Sequence, residues 1–241
     1  MMKSVFVLWQ DTADTRMWYP VAKLTQKSEL EYIFNYTKGA EHKNFTYFPS
    51  MENKEKQYKS EKLFTFFKNR LIPESRPEHD SMFEWSGLSP DSKDYLELLA
   101  ISGGEKKTDH FRIVDIPKKH NNYYCVKFFI SSINYLTVDE KESLKLICAG
   151  DELNYQFDNS NGVDSDATIL LKDQKVKVGY LPHYLCRDLK KLLSFDNNQT
   201  VEFSVVKVNH DAPSQFRILC EMKTLWPEGF EPFHDDGFTV I

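Results

Sequence analysis

Four aromatic and seven basic side chains in the second half of the chain have the types that could do chemistry. Tyr135, Tyr155, Tyr180 and Phe216 offer flat faces, and Lys175, Lys177, His183, Arg187, Lys190, Lys191 and Arg217 offer positive charge. Rings and cations in one groove can stack on flat heterocycles and track phosphate groups. Taken singly, an aromatic on a predicted strand is better explained as core, because sheets favour aromatics on their buried face. Asp164 falls in the run DNSNGVDSD, and in isolation it reads as a loop Asp that caps its own backbone in the Asn161, Gly162 turn. His183 would be a pH-sensitive cation, weaker near neutrality than Lys or Arg. In the first half, Glu74 and Asp80 could be imagined as a general acid and base. No nucleophile, metal motif or perturbing partner accompanies them, so exposed ion pairing explains them better and no catalytic residue is assigned.

The elements that must position these groups follow one another with little slack. Residues 152–157 read as a short strand and the DNSNGVDSD run as a loop; residues 167–171 and 176–179 form a hairpin joined through Lys172, Asp173, Gln174 and Lys175. Pro182 can open a helix at its first position. Leu185, Leu189, Leu192 and Leu193 then recur at helical spacing and leave Arg187, Lys190 and Lys191 on other faces. An acidic loop thus meets a basic helix.

The first half alternates strands and helices. Residues 5–9 begin a strand, residues 31–36 set Tyr32, Phe34 and Tyr36 on one side of another, and residues 45–48 suggest a third. A helix is predicted after Ser60, with Ser60 as its cap, a stripe of Leu63, Phe64, Phe67 and Leu71, and Pro73 as its stop. Pro73 and Pro77 then predict an extended turn. A second helix over 91–100 ends at Gly103 or Gly104 in the left-handed conformation, and residues 111–116 return as a strand. The glycines at 103 and 104 are too short a run to cradle phosphates, and no G-x-x-x-x-G-K-[ST] loop is present.

At 241 residues, 41% hydrophobic and 14% aromatic, the chain can bury one large or two small cores. It has a negative mean hydropathy, no apolar run of about 18 residues and no basic-then-apolar leader, so a cytoplasmic protein is expected, away from membranes. Cys125, Cys148, Cys186 and Cys220 are far apart and read as ordinary thiols, without a zinc or disulfide pattern. His234, Asp235 and Asp236 lack a second ligand group, so no metal and no cofactor is expected. A net charge of −5 means that any contact with phosphates must be a local patch.

The second half resembles the HIRAN domain. A turn at residues 132–135, an Asn161 to Ala167 loop, the Val178, Gly179, Tyr180, Leu181, Pro182 strand end and a later Phe216 follow that family's order and spacing over roughly residues 122–222. The resemblance implies an OB-like β-barrel that binds the end of single-stranded DNA. It also implies a nucleic-acid pocket of Asn134, Tyr135, Val163, Asp164, His183, Arg187 and Phe216, with Asp164 accepting a hydrogen bond from the terminal sugar hydroxyl. Three positions depart from the family: Asn134 stands where Arg is usual, Val163 where an aromatic is common, and His183 where a basic residue would touch phosphate.

The first half, residues 18–116, resembles the small N-terminal subdomain of HipA-type toxin kinases through Phe34, Asn35, Tyr36 and the Phe66, Phe67, Arg70, Leu71, Ile72, Pro73, Glu74 run. The kinase body and its metal-binding Asp motifs are missing. The two blocks together resemble a stand-alone unit of bacterial proteins. The expected architecture is therefore α+β. A HipA-N-like domain of sheet and helices spans residues 1–116 and a linker 117–122. An OB-like barrel with one or two helices follows over 123–225, and a packing tail over 226–241. The expected function is non-catalytic: an accessory protein for DNA repair or remodelling that binds single strands or strand ends. The alternative is a regulatory adaptor whose barrel has lost DNA and whose N-terminal domain meets a protein partner.

Overall fold

The structure is a computed structural model that describes residues 2–162, 164–195 and 199–241. Val163, one of the expected pocket residues, lies outside the described residues. The chain folds as two compact units, neither of them a continuous stretch: residues 1–82, 91–116 and 233–241 make the first, and residues 83–90 and 117–232 the second.

In chain order the first unit contributes β1 (Lys3–Gln10), β2 (Trp18–Ser28), β3 (Glu31–Tyr36), β4 (Tyr58–Ser60), α1 (Thr65–Lys68), the start of α2 (Glu78–Trp85), α3 (Tyr95–Ser102) and β5 (Phe111–Asp115). Its strands form one antiparallel sheet in the order β4-β3-β2-β1-β5. Phe34 and Tyr36 are fully buried and Tyr32 is half-buried, so the alternation in β3 sets one side into the core. Phe34, Tyr36, Phe45, Phe48 and Phe67 meet there, with rings edge-on at 5.1 Å for Phe34–Tyr36 and 5.8 Å for Phe34–Phe48. Arg70 lies under this core edge, its guanidinium 4.1 Å from the Phe66 ring centre and 2.7 Å from Asp109.

Three sequence expectations are corrected in this unit. Residues 45–48 are irregular chain rather than a strand, because Phe45 and Phe48 enter the core from a loop whose Phe48 N–H donates to the Tyr36 hydroxyl. Ser60 is not a helix cap: it ends β4 opposite Tyr32, and the helix shrinks to the single turn α1. The Pro77 region is not extended throughout, since Pro77 precedes α2, whose first turn carries Glu78 and Asp80 where the helix dipole favours them. The helix expected over 91–100 forms as α3, capped by Asp94 accepting from the Glu97 N–H and closed by Gly103 at φ +80°.

The C-terminal tail is divided between the units. Its last nine residues belong to the first, where Thr37 and Val240 form an antiparallel bridge and Phe6 meets Phe233 and Phe238 edge-on at 5.8 and 4.8 Å.

The second unit holds the end of α2, then β6 (Tyr123–Phe129), α4 (Val138–Ser143), β7 (Glu152–Phe157), β8 (Thr168–Lys172), β9 (Val176–Tyr180), α5 (His183–Phe195), β10 (Glu202–Val208) and β11 (Ile218–Leu225). They form a six-stranded antiparallel sheet in the order β6-β11-β10-β7-β8-β9. The expected closed barrel does not appear in this pairing. Among the described residues β6 and β9 share no ladder, and the sheet's two edges meet only at one bridge just past β6, where Ser131 and Tyr180 exchange hydrogen bonds of 2.9 and 3.0 Å. The linker residues Asn121 and Asn122 both take positive φ, so 120–123 is a tight turn that feeds β6. Asp173 and Gln174 do the same between β8 and β9.

Helix α5 covers the sheet. Leu185, Leu189 and Leu192 are fully buried with Phe128, Phe203 and Val178, and the buried Asp188 on the same helix accepts a 3.1 Å hydrogen bond from the Tyr124 hydroxyl. That pairing offsets the cost of burying a carboxylate. Among the described residues no helix is long and apolar enough to cross a membrane.

Candidate functional site

The candidate residues of the second unit gather where three chain segments converge. The first is the short 3-10 turn Ile133–Tyr135, entered through Ser132 at φ +67°. Ile133 and Leu136 anchor the turn in the core while Tyr135 stands outward, 90% exposed. Asn134 is exposed too, and its carbonyl accepts from the Lys141 ammonium at 2.9 Å. The turn can lie this close to β9 because position 179 is glycine. A Cβ there would sit 2.4 Å from Ile130 Cγ2 and 2.7 Å from the Ser131 carbonyl oxygen, and its φ of +149° is one that side chains rarely adopt.

The second segment is the end of β9 and the start of α5, where His183, Arg187 and Lys190 recur at spacings of four and three on the face opposite the buried leucines. The third is the acidic loop before β8. Asp164 performs the local role expected of a loop carboxylate: its Oδ1 accepts from the Asp166 N–H at 2.9 Å, and its own N–H donates to Asn161 Oδ1 at 3.0 Å. Its other oxygen, Oδ2, lies 2.7 Å from His183 Nδ1. An ionised carboxylate only accepts, so Nδ1 carries the proton in this contact. Asp166 takes the next two cations of the stripe, with Lys190 Nζ at 2.7 Å and Arg187 Nε at 3.8 Å. The Lys190 hydrogen bond is the main reason the Asp166 carboxyl is held below its ordinary range, with the charges of Lys190, Arg187 and His183 adding to it. The acidic loop thus meets the basic helix residue by residue.

Phe216 sits on a further 3-10 turn, Ser214–Phe216, which packs beside the Ile133–Tyr135 turn. It is half-buried, edge-on to Phe129 at 5.3 Å. Sequence reasoning missed its other neighbour: Trp85, at the end of α2, stacks on Phe216 with centroids 6.1 Å apart and ring planes 20° apart. Nothing local in the sequence links the two positions. The remaining candidate cations are partly committed. Lys177 lies 4.4 Å from the Tyr180 ring centre, Arg217 donates to the Ala212 carbonyl, and Lys191 donates to the Glu231 carbonyl. Tyr155 is half-buried against Phe203, as core. In the first unit, Glu74 accepts from the Tyr95 hydroxyl at 2.6 Å and pairs with Lys93. His79 turns Nδ1 to Asp80 at 2.8 Å. Among the described residues no group of His, Cys, Asp and Glu is arranged to hold a metal ion.

Two antiparallel sheets with few helices, each unit built around its own core, define a two-domain protein of mixed α and β structure. Its domains are of known families: residues 17–106 match the HipA N-terminal domain and residues 123–223 match the HIRAN domain. Each match covers less than half of the chain. Two solved structures are similar to it. A protein from Lactobacillus plantarum is 17% identical, with 43% of this chain and 97% of that one covered at a TM-score of 0.34. The HIRAN domain of human HLTF is 16% identical, with 43% and 77% covered, also at 0.34. No curated protein matches the chain.

Proposed function

We propose that the protein binds single-stranded DNA, at strand ends, through the face that carries Tyr135, Asp164 and Phe216, and that it acts as a non-catalytic accessory protein in the cytoplasm. One observation carries the reading: Tyr135 holds a large ring almost wholly in solvent, on a turn anchored by the buried Ile133 and Leu136. A ring displayed this way offers a flat face on which a base can stack. The family assignment adds DNA as the partner class. In this reading the sheet is OB-like in its curvature, with the Ser131–Tyr180 bridge marking where its edges approach. Asn134 and Arg187 line the backbone track, and Asp164 receives the terminal hydroxyl once the strand end displaces or shares His183.

The test is fluorescence anisotropy with short oligonucleotides bearing free or blocked 3′ ends, across salt. Tight binding to the free end, lost in Tyr135→Ala and Phe216→Ala, is the expected result. Equal binding to free and blocked ends would reduce the activity to general single-strand binding, and no binding at low salt would end the DNA reading.

A second reading has its own support. Asp166 occupies Lys190 and Arg187, so part of the positive stripe is already neutralised, and Val138 and Leu146 join Tyr135 as exposed apolar groups on one stretch of chain. That combination suits a protein partner, with the molecule as an adaptor, and this reading leads if the oligonucleotides fail to bind.

A further inference from the structure

We propose that Trp85, which lies outside the residues matched to the HIRAN family, belongs to the strand-binding face and forms with Phe216 a two-ring platform for a nucleic-acid base. This rests on the DNA reading above. Phe216 does not stand alone: Phe129 meets it edge-on, and Trp85 lies nearly parallel to it. A base arriving at Phe216 therefore meets the indole as well.

The pairing of the two rings is built into the backbone. Asn209 is 6% exposed, and its side-chain amide donates to the Trp85 carbonyl at 3.0 Å and to the Phe216 carbonyl at 2.8 Å. A single buried amide thus fixes both ring-bearing residues, using both of its N–H donors. Lys207 fastens the preceding residue by donating to the Glu84 carbonyl. The neighbours of Trp85 in sequence behave differently from it. Phe83 and Ser86 are completely buried, while Trp85 stays half-exposed. The end of α2 is thus anchored by its flanking residues, and the indole is left partly exposed. The turn that carries Phe216 packs beside the one that carries Tyr135. A single strand crossing these turns would meet three aromatic groups contributed by three separate stretches of chain, the arrangement by which single-strand binders hold successive bases without reading sequence.

The experiment uses the full chain and a ten-residue oligothymidylate with a free 3′ end, followed by anisotropy and by tryptophan emission. The wild-type protein should lose emission as the oligonucleotide binds. Trp85→Phe keeps an aromatic platform, so it should bind within about 3-fold of wild type while most of the quench disappears. Trp85→Ala should weaken binding by about 10-fold or more, the effect of losing one stacked base. The inference is overturned if the quench persists in Trp85→Phe, which would place the signal on another tryptophan, or if Trp85→Ala binds as wild type does. Tyr135→Ala separates the two levels of argument: when it loses binding and the Trp85 variants do not, the DNA reading stands and only the role of Trp85 falls. If the wild-type protein binds no oligothymidylate, both fall together. Trp85→Phe keeps a ring in the place of the indole, so its affinity and its quench together give the readout even if Trp85→Ala is unstable.

Discussion

The two units use aromatic residues differently. In the first, Phe34, Tyr36, Phe45, Phe48 and Phe67 close on one another, and even the Arg70 guanidinium is drawn in, with its side chain 2% exposed between Phe66 and Asp109. In the second, the core is largely aliphatic and leucine-covered; Tyr135 stands exposed on one 3-10 turn, Phe216 is half-buried on another, and Trp85 is half-buried at the end of α2. The second unit also buries Tyr124, Phe128, Phe203 and Phe230, but among the described residues the aromatics most open to solvent, Tyr123, Tyr135 and Phe195, all belong to it.

Substitutions should break the contrast unequally. Phe67→Ala removes a fully buried ring from the first core and should cost about 3–5 kcal/mol in urea unfolding, with oligonucleotide binding by folded protein unchanged. Gly179→Ala forces a Cβ against Ile130 and the Ser131 carbonyl at a disfavoured φ. A loss of about 1–3 kcal/mol, with weaker strand binding because the Tyr135 turn shifts, is the expected outcome; a neutral result would show that the close approach does not matter. Tyr124→Phe takes a hydroxyl donor from the buried Asp188, and a drop of about 1–3 kcal/mol should register in thermal melting.

Smaller effects sharpen the comparison. Asp166→Asn releases Lys190 and Arg187 from their shared carboxylate. Strand affinity should rise, and the salt dependence should steepen by about one phosphate contact. The stability difference between this variant and wild type should depend on pH in a fixed direction. Because the folded carboxyl titrates below its ordinary value of 3.8, its contribution is fully present above that value and disappears as pH falls through the folded one. The melting-temperature gap between the two proteins should therefore hold from neutrality to about pH 5 and close in stronger acid. Smallest of all, Tyr135→Ala should change stability by less than about 0.5 kcal/mol while abolishing end binding, which is the signature of a residue exposed for use rather than for packing.

Much of the local structure could be read from short-range signals. Pro182 followed by leucines at helical spacing specifies α5, and the positions of Lys172 to Lys175 specify the β8–β9 turn. Other features depended on partners far away in sequence. Ser60 looks like a helix cap until Tyr32 is seen to pair with it, and the short aromatic run of residues 45–48 imitates a strand although Phe45 and Phe48 enter one core from irregular chain. Pro77 with Glu78 and Asp80 did carry a helix-start signal for α2, obscured by the nearby Pro73. At the candidate site, the meeting of acidic loop and basic helix was legible, whereas the assignment of Asp164 to His183 and Asp166 to Lys190 was not. Side-chain pairing depends on how the loop closes over the helix, and spacing alone does not record that. The Trp85–Phe216 stack had no sequence signal of any kind.

The division of the tail has a consequence for how the molecule is made. Residues 233–241 supply Phe233, Phe238 and the bridge to Thr37 that complete the first unit, yet the ribosome delivers them only after the second unit. Domains ordinarily finish folding in the order of synthesis. Here the unit begun first must wait, with one side of Phe6 uncovered, until the whole of the second has been translated. Cutting the gene at the apparent linker would leave one product without its closing segment and the other without residues 83–90.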